Sequence, residues 1–181
     1  MLVVVVLVGF FSSRARADED DWQVAGRVGL AGVVADGRSP LGLGLGGDVQ
    51  YGLDDAWAVR LSLAGAGQRV DEDKAHMLPG GTMWSYAAFA GLGYTMDVLR
   101  LLPTFEAGVG VLGVRGAVKK SHLAVGVQIG LGADYLLTPR FSVGLAAQYV
   151  FAPFDLFSHV LTGDQTPQAF AFCTRATWTL R

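Results

Sequence analysis

Few residues of this 181-residue chain are of types that do chemistry, and their spacing argues against catalysis. The histidines His76, His122 and His159 are scattered, and Ser121 beside His122 and Ser158 beside His159 set a hydroxyl next to an imidazole. Adjacency in sequence does not aim a nucleophile at a base, and no G-x-S-x-G elbow is present. Cys173 is the single cysteine, which rules out an intramolecular disulfide, and with no histidine near it in the pattern it reads as a small filler. Gly108, Gly110 and Gly113 match the dinucleotide-binding string, but they lie inside an alternating segment with no helix after it. Asp71, Glu72, Asp73, Lys74 and His76 offer ligands for calcium or magnesium without EF-hand spacing, and read as a solvated loop. The expectation is a protein with no catalytic set, no cofactor and no metal.

A second set of reactive groups is ordered. Arg27, Asp48, Arg60, Glu106, Asp134 and Arg175, three of each sign, all fall on the small-residue face of alternating segments, with Gln50, Gln128 and Gln148 among them. Charges held away from water cost several kcal/mol each unless paired, so these groups are expected to form salt bridges across a common interior. They are the candidate site: a polar, roughly neutral charge network.

The elements that hold them are strands. From His122 to Phe151 apolar residues alternate one for one with small or polar ones, with one break at Leu137 to Arg140. Leu123, Val125, Val127, Ile129 and Leu131 take one face, while Ala124, Gly126, Gln128, Gly130 and Gly132 take the other. Each half is about ten residues or more and its apolar face carries no charge, the length and character of a tilted transmembrane strand. The same beat gives eight segments: Trp22 to Val34, Leu41 to Tyr51, Trp57 to Gln68, Thr82 to Tyr94, Leu101 to Val114, His122 to Tyr135, Phe141 to Phe151 and Gln168 to Leu180. An open sheet edge in lipid leaves backbone groups unpaired, so the expected fold is all-β, an eight-stranded antiparallel up-and-down transmembrane barrel. Its interior should be just filled by side chains, and the inward glycines suit that narrow bore.

Aromatic residues mark the ends of these segments. Trp22, Tyr51, Trp57, Tyr94, Tyr135, Phe141 and Trp178 fall at one end, and Trp84, Tyr86, Tyr149, Phe151, Phe170 and Phe172 at the other, all on the outward parity. Two interfacial girdles follow. The connections at the first end are tight (Gly52 to Ala56, Thr95 to Arg100, Leu136 to Arg140), whereas Arg69 to Gly81 and Ala152 to Pro167 are longer, which puts the first end in the periplasm and the second outside.

The N-terminus reads as an export signal. Leu2 to Phe11 is apolar and small residues follow, ending in Ala15-Arg16-Ala17, so residues 1–17 form a signal peptide without a basic first region and residues 18–181 the barrel domain. Cleavage there removes Arg14 and Arg16 and leaves 12 basic against 16 acidic side chains. No basic stripe remains to displace counterions from phosphates, so nucleic acid is not an expected partner. A small cluster of Arg115, Lys119, Lys120 and His122 could touch lipid phosphates.

The run Gly130-Leu-Gly-Ala-Asp-Tyr135-Leu-Leu-Thr138-Pro-Arg-Phe141-Ser-Val-Gly-Leu145, together with Pro103-Thr-Phe-Glu-Ala-Gly-Val-Gly110, resembles the late hairpin and fifth strand of the small outer-membrane β-barrel proteins of Gram-negative bacteria, the OmpA-type transmembrane domain and its OmpX- and OmpW-like relatives. The likeness covers the whole mature chain in pattern, though the chain ends Trp178-Thr-Leu-Arg181 where family members usually finish on an aromatic residue. It implies a non-enzymatic, monomeric outer-membrane protein with a structural or interaction role in the cell envelope, in contact with membrane lipid and lipopolysaccharide and inserted by the barrel-assembly machinery. A narrow porin-like channel for small solutes is the alternative, a lipid-A-modifying enzyme the third reading, and a secreted lipid-binding barrel a fourth that puts the charges on the wrong face.

Overall fold

A computed structural model describes residues 21–34, 38–72, 80–118, 122–152 and 167–180. The expected signal peptide, Asp73, Lys74, His76, Lys119, Lys120, Ser121, Ser158 and His159 lie outside the described residues, and of His122 only the backbone is described.

The strands are β1 (Trp22–Val34), β2 (Leu41–Gly52), β3 (Trp57–Val70), β4 (Gly81–Thr95), β5 (Leu101–Gly116), β6 (His122–Thr138), β7 (Phe141–Phe151) and β8 (Gln168–Leu180). Each pairs antiparallel with its neighbours in sequence, and β1 closes the barrel on β8 from Trp22↔Leu180 to Val34↔Gln168. Closure gives every strand two partners and leaves no edge, the condition a sheet must meet inside a bilayer.

The period of two then sorts the side chains. Leu43, Leu45, Leu63, Val109, Leu123, Leu145 and Phe172 are all at least 60 % exposed on the outer wall. On a protein in water that surface would aggregate; in hydrocarbon it is the solvated face. Near the long-loop end, outward glycines face aromatic rings across the ladder: Gly67 pairs with Trp84, Gly113 with Tyr86 and Gly32 with Phe170. A Cβ on Gly67 would stand 3.1 Å from the indole of Trp84, so the ring lies over the bare backbone of its neighbour.

Five strands run beyond the expected limits, β2 and β4 by one residue at an end (to Gly52, and to Gly81 and Thr95) and three by more: β3 to Val70, β5 to Gly116 and β6 to Thr138. The ladder needs backbone partners and not hydrophobic alternation, so it continues past the apolar belt. The expected break at Leu137 is instead a bulge, with the pairing stepping from Leu136↔Ser142 to Thr138↔Phe141. The extra residue disturbs the alternation without ending the strand, and only Pro139 and Arg140 are left to turn.

The two other tight turns differ in chemistry. Val98 and Leu101 exchange backbone hydrogen bonds of 3.1 Å, with Leu99 at φ 64°, a region that favours glycine. Between β2 and β3, Asp54 Oδ1 accepts from the amides of Ala56 (2.8 Å) and Trp57 (2.7 Å), an Asx-type closure that sets the start of β3.

An ion-pair chain across the bore as the candidate functional site

Arg27, Asp48, Arg60, Glu106, Asp134 and Arg175 come from β1, β2, β3, β5, β6 and β8, and each is at most 8 % exposed. They form one chain of alternating sign. Asp48 Oδ1 accepts from Arg27 Nη2 at 2.8 Å and from Arg60 through Nε (3.0 Å) and Nη2. Arg60 Nη1 reaches Glu106 Oε1, which also takes Arg175 Nη1 at 2.7 Å. Arg175 then grips Asp134 with both arms of its fork, Nη2 to Oδ2 at 2.6 Å and Nε to Oδ1 at 3.1 Å. The order Arg27–Asp48–Arg60–Glu106–Arg175–Asp134 crosses the barrel from one wall to another. Its formal charge is zero, and each interior charge of the chain lies between two of opposite sign, which offsets the desolvation of the whole set.

Neutral partners complete it. Thr104 Oγ1 accepts from Arg175 Nη2 at 3.0 Å, and Gln148 Nε2 donates to Glu106 Oε2 at 3.1 Å. Thr104 was not among the sequence candidates, although it stands two residues before Glu106 on the same face of β5 and shares its parity. Glycines make the room: a Cβ on Gly132 would lie 2.6 Å from Thr104 Oγ1 and 3.1 Å from Arg175 Nη2, and one on Gly130 would lie 2.9 Å from Glu106 Oε2. Their conformational freedom is not what matters there; the guanidinium and carboxylate need the space a methyl would fill.

On the short-turn side of the chain lies a polar cavity of about 60 Å³, lined by Gln23, Gln50, Thr104, Asp134, Arg175 and Thr179 among others. Two of the carboxyls in the turns that rim this end stand in opposite environments. Backbone hydrogen bonds from Ala56 and Trp57 hold Asp54 below its ordinary value, whereas desolvation raises Asp97.

On the other side the bore is apolar. Phe89, Leu112 and Val150 pack together beside the chain, and Val33, Met83, Val114 and Val118 form a second cluster nearer the long-loop end. Between the ion pairs and that cluster, the wall built by β8, β1, β2 and β3 carries small residues such as Gly29, Ala31, Gly44, Ala64, Ala66 and Ala171, and a cavity of about 90 Å³ remains against it. The expectation of an interior filled throughout is therefore corrected: side chains fill the bore at the ion pairs but not along that wall, because glycine and alanine there do not reach across. Cys173, half-buried, lines the cavity with its Sγ 3.6 Å from the Ala146 carbonyl oxygen.

The aromatic residues of the short-turn end meet across the ladder. Ring centroids are 5.1 Å apart for Trp22 and Tyr51, 4.9 Å for Trp57 and Tyr94, and 5.7 Å for Phe141 and Trp178, while Tyr135 stands opposite Leu101. At the other end Arg115, from the expected basic cluster, lies 5.5 Å over the ring of Tyr86. Of the acidic loop, Asp71 and Glu72 are exposed; the described residues hold no group of three or more His, Cys, Asp or Glu placed to share a metal ion.

Solved structures share this architecture. Neisserial surface protein A superposes with a TM-score of 0.64 at 13 % identity, covering 87 % of this chain and 96 % of its own. The outer membrane protein OprG from Pseudomonas aeruginosa gives 0.62 at 15 % identity, with 92 % and 99 % covered. The outer membrane enzyme PagL gives 0.52 at 16 % identity, with 86 % and 98 % covered, so the fold carries enzymes as well as proteins that are not. At such identities the likeness is one of fold. No curated protein sequence matches the chain. The family model for the outer membrane protein beta-barrel domain matches residues 3–171, a span that takes in all of β1 to β7 and the start of β8. With a closed barrel, an apolar outer wall and that match, the chain belongs to the outer membrane protein beta-barrel domain family, an integral protein of the bacterial outer membrane.

Proposed function

We propose that this barrel serves the envelope as a sealed wall element that presents its long-loop end to the outside, and not as a passage or an enzyme. The observation that carries this reading is the continuous ion-pair chain from Arg27 to Asp134, which occupies the bore where a solute would have to pass. In this reading residues 1–17 are removed on export, the assembly machinery inserts the barrel as a monomer, and the outer wall meets lipid with lipopolysaccharide at the outer leaflet. The charged groups of the bore are engaged with one another, and the Cys173 thiol faces a carbonyl oxygen where a nucleophile would need a base, which supports a non-enzymatic role.

Planar-bilayer recordings test the seal. The refolded wild type is expected to show no unitary conductance, and Arg60→Gln with Glu106→Gln to stay closed as well. Steady ion flow through the wild type would overturn the proposal.

A narrow channel is the second reading, and one observation favours it: cavities of about 90 Å³ and about 60 Å³ stand on the two sides of the ion-pair chain. Rearrangement of Arg60 and Arg175 around Glu106 would join them. The double variant separates the readings, since conductance that appears only when these pairs are removed marks a latent pore.

A further inference from the structure

Charge is almost absent from the outer wall, and what there is gathers in one place. Across the outward parity of all eight strands two side chains are charged, Arg69 on β3 and Arg115 on β5, and both lie at the long-loop end. β4 runs between them. Arg69 stands opposite Thr82 and Arg115 opposite Trp84, so the two positions are two strand spacings apart, roughly 10 Å, and one outward step apart along β4. Both are exposed, and among the described residues neither has an ion-pair partner. Height matters as much as sign. From Trp84 to Tyr94 β4 runs ten residue steps, about 34 Å of strand, and a tilt of about 45° reduces that to roughly the 25 Å of an apolar band. Arg115 is therefore level with the upper aromatic girdle, and Arg69 is one step beyond it, at the height of lipid headgroups. The Arg115 guanidinium, 5.5 Å from the Tyr86 ring, leans back over the apolar wall, where a cation without a counter-charge is costly.

We infer that Arg69, Thr82 and Arg115 hold the phosphate monoester of a lipopolysaccharide headgroup, the two guanidinium groups donating from either side and the threonine hydroxyl from β4 between them. The inference rests on the reading that the long-loop end faces outside. Charge selects the ligand: a phosphate monoester carries about −1.5 to −2 at neutral pH and matches two arginines, whereas the phosphodiester of an ordinary phospholipid carries a single charge. Planar guanidinium forks suit phosphate oxygens better than a point charge does. Space is kept for the ligand, because the indole of Trp84 lies over Gly67, on the membrane side of Arg69, and leaves the small Thr82 between the two arginines. Asp71 and Glu72 follow past the end of β3, on the loop side of Arg69, so an anion is repelled from that direction and approaches from the lipid.

Lipid titration followed by native mass spectrometry tests the site. The full-length protein, refolded into detergent micelles and shown to be heat-modifiable, is titrated with lipid A, with lipid A freed of its phosphates, or with phosphatidylglycerol. The wild type is expected to bind lipid A about tenfold more tightly than either of the others, the factor of one hydrogen bond to a charged group. Arg69→Gln and Arg115→Gln should each lose about that tenfold, while Arg140→Gln, in the turn between β6 and β7 at the other end, should lose nothing. Equal binding of phosphate-free lipid A overturns the inference, and so does phosphatidylglycerol bound as tightly as lipid A. A loss confined to one of the two arginine variants also overturns it, since that marks a single interfacial anchor. Orientation is read separately, by an impermeant maleimide applied to intact cells that make Asp71→Cys. Absence of labelling beside selective lipid A binding sinks the outward placement of the long-loop end, whereas labelling without that selectivity sinks the site.

Discussion

The two halves of this barrel's interior are built from the same alternation and solve the same problem in opposite ways. On the short-turn side long charged side chains cross the bore, and glycines such as Gly130 and Gly132 stand aside for them. On the long-loop side glycines and alanines line a wall that nothing reaches, and a cavity remains. Glycine therefore has two meanings in one barrel. Near Arg175 it is a clearance that the ion pairs require; near Ala64 it is part of a surface.

That contrast is sharpest at Arg175, whose loss leaves Asp134 and Glu106 each short of a partner. Arg175→Met is expected to destabilise the barrel by about 3–5 kcal/mol, more than any single change to the cavity wall, as read from urea unfolding followed by the heat-modifiable gel shift. A loss under about 1 kcal/mol would show that the ion-pair chain is not what holds this half together.

Next in size is the glycine comparison itself. Gly132→Ala puts a methyl 2.6 Å from Thr104 Oγ1 and should cost about 1–3 kcal/mol. Gly44→Ala meets the methyls of Ala31 at 3.1 Å and Ala66 at 3.5 Å and the Gly65 carbonyl oxygen at an ordinary 3.6 Å, and should fall within about 1 kcal/mol of wild type in the same assay. Equal effects would erase the distinction between clearance and surface.

Ala64→Leu changes the sign. Filling part of about 90 Å³ of void is expected to stabilise by about 1–2 kcal/mol. Destabilisation would mean that the wall has already relaxed inward.

The smallest effect lies at the rim and depends on pH. Asp54 is held below its ordinary value of 3.8 by the amides it caps, so the folded state binds its proton less readily than the unfolded chain. Its contribution is therefore present above 3.8 and lost as pH falls through the lower folded value. The advantage of wild type over Asp54→Ala in thermal unfolding should narrow as the medium is acidified past 3.8, while Asp54→Asn, which keeps an acceptor, should show no such narrowing.

Much of this was legible in residue order. A strand's side chains alternate by geometry alone, so Leu43, Leu145 and Phe172 could be placed outside and Glu106 and Arg175 inside before any fold was known. Trp22 opposite Tyr51 and Trp57 opposite Tyr94 follow from segment ends and antiparallel closure. Leu137 was not legible, because a bulge and a chain break disturb the alternation in the same way, and only the pairing on either side tells them apart.

Within the bore the division falls at the same place. Residue order determined which side chains face inward and that their charges sum to zero, since both depend only on parity and residue type. The tertiary structure decided the partners, placing Arg60 between Asp48 and Glu106 and closing the fork of Arg175 on Asp134, because those contacts depend on strand register and on the distance across the bore. It also decided where the barrel is hollow. A cavity depends on whether side chains from opposite walls meet, and the gap beside Ala64 exists because Phe89, Leu112 and Val150 pack with one another and leave the glycine and alanine wall uncovered.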